Sequence, residues 1–272
     1  MRSAEVGLEI VLLGSGGAFR LPSLGCRCPV CTAARQDASL RRTTSSLWLR
    51  KPGVSLLLDA SPDLYQQALR EGIEQVDAIL ITHAHRDHML GIECLETLVR
   101  YGQEGKPVTI LGPQDLTDEV SSQFHYLERP GWIQVRALPP DVPFGLHGLT
   151  VTPFAVRHHC VTTYGYRVED AGRALVYLPD VKTFADGLPL STASLPPALL
   201  GADLLLVDAT FDDESGSGPG HITWQEAAAL GERSGARRTV LCHISHRVNL
   251  EALRRATGER LMEGHDGQRF YL

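Results

Sequence analysis

Short apolar runs that stop abruptly in polar or acidic residues recur along the chain. The first covers residues 9–13 and gives way to the glycine-rich turn GSGGAF at 14–19. Residues 46–49 and 54–58 flank Lys51-Pro52-Gly53, which predicts a β-hairpin running into Asp59. Residues 78–81 are four consecutive apolar side chains, too short for a buried helix and typical of a central strand. Similar runs at 108–111, 174–178, 204–207 and 239–242 predict further strands, and between 133 and 168 the pattern is one of short strands, including 149–156. Helical signals lie between them. Ser61-Pro62 predicts an N-cap and first helical position, with Leu64 and Leu69 on an apolar stripe and Gly72 as the stop. Residues 90–100 and 115–127 read as helices, and Thr223 predicts an N-cap whose capping box is completed by Glu226. Strands alternating with helices indicate an α/β class.

The polar residues at the strand ends carry the chemistry. The run at 79–81 leads into His83, His85, Asp87 and His88, four metal-ligand types within six residues, and this density suggests two metal ions. Other runs end at Arg157-His158-His159, Pro179-Asp180, Asp208 and His243. Open α/β sheets place their sites at such carboxyl ends. Metal-assisted hydrolysis needs ions that lower the pKa of water, a shared ligand holding them about 3.5–4 Å apart, and open positions. The expected arrangement sets His83, His85 and His159 on one ion, Asp87, His88 and His243 on the other, and Asp180 between them.

Composition narrows the function. At 272 residues with 43% hydrophobic side chains and no linker longer than the loop at 211–220, a single domain over 1–272 is expected. No apolar run approaches the roughly 20 residues of a membrane span, and the N-terminal stretch carries acidic residues, Glu5 and Glu9, where a signal peptide would need basic ones, so no membrane and a cytoplasmic location are expected. A net charge of -6 without a basic block disfavours a large nucleic-acid surface and favours small substrates. The turn at 14–19 is no phosphate loop: it lacks the Lys-Ser/Thr ending and the full GxGxxG spacing, and no helical pattern follows. Cys26, Cys28 and Cys31 crowd into GCRCPVC at 25–31 while Cys94, Cys160 and Cys242 are scattered, so in a reducing compartment the trio reads as a thiolate metal knot.

Together HAHRDH, His159, Asp180 and His243 resemble the metallo-β-lactamase superfamily, which implies an αββα four-layer sandwich binding one or two metals at the edge between two sheets. Within it, the turn at 14–18, the knot at 25–31, His159 with Tyr164-Gly165-Tyr166, Pro179-Asp180 and residues 242–246 look most like the bacterial phosphoribosyl 1,2-cyclic phosphate phosphodiesterases. That resemblance implies a structural zinc on Cys26, Cys28, Cys31 and His246, and a histidine at the position of His221. The segment DATF at 208–211 is similar to the corresponding segment of RNase Z, which implies an Asp208–His221 dyad donating a proton to the leaving group. The long basic arm with which RNase Z grips tRNA has no counterpart here. Residues 57–67 and the terminal His265-Asp266-Gly267 resemble pyrroloquinoline-quinone biosynthesis protein B, whose histidine motif is usually degenerate where this one is intact.

The expectation is therefore a metal-dependent hydrolase cleaving a small, cyclic or compact phosphodiester such as phosphoribosyl 1,2-cyclic phosphate. Two divalent ions (Zn or Mn, with Fe also accepted by such ligands) supply the attacking hydroxide, with Asp87, Asp208 and His221 as the catalytic side chains and one further zinc in the knot. A homodimer is compatible with this reading. The alternatives are a non-hydrolytic pathway protein, either an iron-dependent oxidative enzyme or a carrier like the quinone-biosynthesis protein, and a thioester or lactone hydrolase on the same fold.

Overall fold

A computed structural model describes residues 7–213 and 218–272; residues 214–217, the middle of the loop before His221, and residues 1–6 lie outside the described residues. In chain order the first half contains β1 (Glu9–Gly14), α1 (Pro29–Gln36), β2 (Ser46–Lys51), β3 (Val54–Leu58), α2 (Leu64–Glu71), β4 (Ala78–Leu80), α3 (Arg86–Met89), α4 (Leu95–Thr97), β5 (Val108–Gly112), α5 (Gln114–Gln123), α6 (His125–Glu128) and β6 (Ile133–Ala137). The second half adds β7 (Phe144–Leu146), β8 (Leu149–His158), β9 (Val161–Asp170), β10 (Arg173–Leu178), β11 (Leu204–Asp208), α7 (Trp224–Ser234), β12 (Thr239–Cys242), α8 (Leu250–Ala256), β13 (Leu261–Glu263) and β14 (Gln268–Tyr271).

The strands form two seven-stranded sheets, ordered β14-β1-β2-β3-β4-β5-β6 and β13-β12-β11-β10-β9-β8-β7. Each is antiparallel on one side and parallel on the other, from β3 to β6 in the first sheet and from β10 to β13 in the second. Alternation within single strands explains the layering. In β1, Ile10 and Leu12 pack between the sheets while Val11 and Leu13 face the outer helices; in β11, Leu204 and Leu206 face inward while Leu205 and Val207 face outward. Strands covered on both faces have no polar positions to spare, so their sequences are continuous apolar runs. The result is the αββα sandwich that the motifs imply. No helix among the described residues is long and apolar enough to cross a membrane.

Several local expectations change under tertiary contact. The stretch from residue 90 to 102 is helical but uneven, 3-10 at Leu90–Cys94 and π-type at Leu98–Gly102. Gly91 lies in the 3-10 part: its N–H donates to the Ala60 carbonyl at 2.8 Å, and a Cβ there would sit 2.2 Å from the Ser61 carbonyl oxygen. Helix α2 starts at Leu64, not after Ser61, and Asp63 stands at the N-cap with its carboxylate turned away to accept from Thr44 N–H and Oγ and from Arg20. The helix expected over 115–127 breaks at Phe124. By contrast, the capping box of Thr223 and Glu226 is present as expected. Helix α1 has no counterpart among the expected elements, and Pro29 at its first position is the one sequence signal for it.

Candidate metal centre

The polar strand ends converge where the two sheets meet. The sheets are fastened there by the Tyr166 hydroxyl donating to the Ile81 carbonyl at 2.7 Å and the Tyr164 N–H to the Thr82 carbonyl at 2.9 Å. This seam aims the loop after β4 at the ends of β8, β10 and β12. Two groups of donors form. In the first, His85 Nδ1 lies 2.9 Å from His83 Nε2 and 3.2 Å from His158 Nε2, and Asp180 Oδ2 lies 3.2 Å from His83 Nε2. In the second, Asp87 Oδ2 lies 3.1 Å from His88 Nε2 and 3.4 Å from His243 Nε2. Asp180 belongs to both, with Oδ2 2.9 Å from His88 Nε2 and Oδ1 3.3 Å from His243 Nε2.

The outer ring nitrogens decide what these groups hold. His88 Nδ1 donates to Asp59 at 2.7 Å and His158 Nδ1 to the Gly220 carbonyl at 2.6 Å; Thr82 Oγ lies 2.9 Å from His83 Nδ1, and Thr210 Oγ 2.8 Å from His243 Nδ1. A ring that donates from Nδ1 presents a bare lone pair at Nε2. Lone pairs and carboxylate oxygens then face each other with no proton between them, an arrangement that a cation stabilises. Consistent with this, His88 Nε2 and Asp180 Oδ1 are buried without a hydrogen-bond partner. The donor set thus fits two divalent ions. Burial disfavours charge on His88, yet Asp87, Asp59 and Asp180 raise it well above the ordinary histidine range, while burial pushes His158 down to about 4 and His83 well below that range.

One expected ligand is corrected. His159 does not join the first group; His158 takes that place. Strand β8 continues through His158, so His158 lies on the same face as the buried Phe154 and Val156, whereas His159 falls in the turn between β8 and β9 with φ 47° and an exposed ring. The alternation of a strand two residues longer than the predicted 149–156 would have separated the two. His158→Ala is accordingly expected to remove about one ion per chain by metal analysis and His159→Ala to retain both; the reverse pattern would reinstate His159.

His221 lies beside the second group, 15% exposed, with Nδ1 3.0 Å from Asp208 Oδ2. Burial lowers its proton affinity, but Asp208, Asp180 and Asp87 outweigh that and raise it to about 9. Asp180 and Asp87 are matched by cations when the pair is filled, so the lasting support for His221 comes from Asp208. A cavity of about 270 Å³ opens over His221 and His243, walled by Phe19, Phe211, His159 and Arg247. The glycine turn forms its floor, where a Cβ on Gly17 would come within 3.3 Å of the His243 ring.

The second candidate site is the knot. Cys26, Cys28 and Cys31 Sγ lie 3.1, 3.6 and 3.6 Å from His246 Nδ1. Hydrogen bonds from the Cys28 backbone and side chain lower Cys26 to about 6, while burial lifts Cys31 to about 11. Three sulfurs and one imidazole, with no fifth donor grouped with them among the described residues, suit a closed tetrahedral zinc. Asp59, Thr82, Thr210 and Gly220 are not distinguished for this role by the sequence; Asp59 follows directly on β3 with φ 63°, so the strand-end pattern is its one signal.

A two-sheet sandwich whose parallel strands end in paired histidine and carboxylate donors defines a metal-binding fold. The chain belongs to the β-lactamase superfamily: the family model described as beta-lactamase superfamily domain matches residues 55–244. That superfamily consists mostly of hydrolases and implies divalent metal ions. The chain is 31% identical over 251 residues to an octanoyltransferase of Porphyromonas gingivalis, covering 89% of this chain but 47% of that protein, so it spans about half the relative's length. It is 32% identical to coenzyme PQQ synthesis protein B of Methylobacterium radiotolerans, covering 76% of this chain and 75% of the relative. Among solved structures, a diphosphatase of the PhnP family superposes with a TM-score of 0.83 at 28% identity over 97% of this chain and 98% of the other.

Proposed function

We propose that the chain is a metal-dependent phosphodiesterase acting on a small, cyclic or otherwise compact phosphodiester, of which phosphoribosyl 1,2-cyclic phosphate is an example. The observation that carries this reading is the Asp208–His221 pair at 3.0 Å, set beside the paired donor groups and facing a cavity of about 270 Å³. Two divalent ions, when bound, supply an activated water near neutral pH and countercharge for phosphoryl oxygens. His83, His85, His158 and Asp180 would hold one, and Asp87, His88, His243 and Asp180 the other. Asp208 keeps His221 Nδ1 protonated and its ring fixed, so Nε2 is the atom that delivers a proton to a departing alkoxide. The small cavity suits a compact substrate better than folded RNA. Similarity to a diphosphatase supports hydrolysis at phosphorus, and the intact donor set favours hydrolysis over the role of the PQQ synthesis relative.

The test compares leaving groups. With Zn²⁺ or Mn²⁺ supplied, the wild type is expected to hydrolyse both a p-nitrophenyl phosphodiester and a ribose cyclic phosphate. His221→Ala should keep its metals and lose roughly 10²–10⁴-fold on the ribose ester, with a far smaller loss on the nitrophenyl ester. Equal losses would remove His221 from the acid role. One redox-active iron after anaerobic purification, with no phosphodiester turnover, would instead favour an oxidative or carrier protein.

A further inference from the structure

The Asp208–His221 pair and the metal ligand His243 meet at one buried hydroxyl. Thr210 is 6% exposed, and its Oγ lies 2.6 Å from Asp208 Oδ1, 2.8 Å from His243 Nδ1, 3.1 Å from the His243 carbonyl oxygen and 3.2 Å from His221 Nδ1. A threonine hydroxyl has one proton to give and two lone pairs to receive. The shortest of the four contacts is to a carboxylate, which only accepts, so the proton goes to Asp208. Oγ must then accept from its nearest ring nitrogen, His243 Nδ1, and that nitrogen carries the hydrogen. His243 Nε2 is left bare, 3.3 Å from Asp180 and 3.4 Å from Asp87. On the other side Asp208 Oδ2 takes the His221 Nδ1 proton at 3.0 Å.

We infer that Thr210 is a positioning residue through which the single buried carboxylate of Asp208 orients two imidazoles, His221 directly and the ligand His243 by relay. Two features hold Thr210 in this post. Its N–H donates to Asp208 Oδ1 at 2.9 Å, and its carbonyl accepts from Ser245 Oγ at 2.5 Å, between His243 and the knot's His246. The consequence is a coupling: a change at Thr210 reaches metal affinity and proton donation together, although Thr210 is not itself one of the metal donors. The metal part of this assignment stands on the donor geometry alone, whereas the effect on proton donation rests on the phosphodiesterase reading.

The test uses the full chain. Thr210→Val preserves shape and removes the relay, and the weaker of the two Zn²⁺ affinities of the paired donor groups, measured by chelator competition on protein whose knot zinc is retained, is expected to fall about 10- to 100-fold, the usual effect of losing a hydrogen bond behind a ligating histidine. Thr210→Ser restores the hydroxyl and should stay within about threefold of wild type. Thr210→Ala should behave as the valine variant and serves if valine does not fold. A drop in melting temperature with both affinities unchanged in the valine or alanine variant would overturn the assignment, as would failure of serine to recover the affinity. If the affinity falls as expected but no variant, wild type included, hydrolyses a phosphodiester, the positioning role stands and the phosphodiesterase reading falls.

Discussion

Replacement of Asp180 by asparagine is expected to reduce turnover by at least about 10³-fold, equivalent to roughly 4 kcal/mol of transition-state stabilisation. Bound metal should fall from three ions per chain, the knot's zinc included, to two or fewer. The reason lies in the number of partners that one carboxylate serves. Its Oδ2 is within 3.6 Å of three imidazoles, on His83, His88 and His158, and its Oδ1 faces His243 at 3.3 Å and His221 at 3.5 Å. Burial works against its charge, but His243, His88 and His158 outweigh that and hold its carboxyl well below the usual range. Asparagine keeps the shape, removes the charge and presents an amide N–H₂ to at least one ring nitrogen that has a lone pair to offer. A variant that retains all three ions by metal analysis, the knot's zinc included, and activity within about tenfold would show that Asp180 is not shared between the pair.

The strand-end residues were legible because each follows an apolar run that both faces of a sheet must bury. Such a run has a visible end, and His83, Asp180, Asp208 and His243 stand at or just past one. Choosing between His158 and His159 needed more than that, since one residue of strand length decides whether a side chain joins the buried face or the turn. The partners behind the ligands were less visible still. Thr82 and Thr210 act through hydroxyls and Gly220 through a backbone carbonyl, groups found everywhere along a chain, and only their distances to particular ring nitrogens distinguish them. The same holds for the uneven helix after His88. Its 3-10 turn contains Gly91 pressed against residues 60 and 61, and its π turn ends at Gly102, where a Cβ would sit 2.2 Å from the Glu74 carbonyl oxygen, contacts that helix propensity does not encode.

Loss of one knot ligand is expected to act on stability and to leave the chemistry largely in place. Cys28 has two duties that serine separates. Its Sγ lies 3.6 Å from His246 Nδ1 among the other thiols, and it also caps α1 by accepting the Cys31 N–H at 3.4 Å. Serine is a good N-cap, so the cap, worth about 1 kcal/mol, survives in Cys28→Ser while the thiolate donor is lost. Structural zinc in small domains contributes on the order of 10–16 kcal/mol of binding free energy that is also folding free energy. A partial site with three donors forfeits a substantial part of it, so unfolding should become easier by about 3–5 kcal/mol, with one zinc fewer per chain. The paired donors at β4, β8, β10 and β12 do not include the knot, so below the lowered melting temperature turnover per folded chain should stay within about tenfold of wild type. An unchanged melting temperature and metal count would refute a zinc at the knot. A loss of turnover as severe as that of Asp180→Asn, in chains still folded, would instead mean that His246 holds the segment of His243 and Ser245 in its active position.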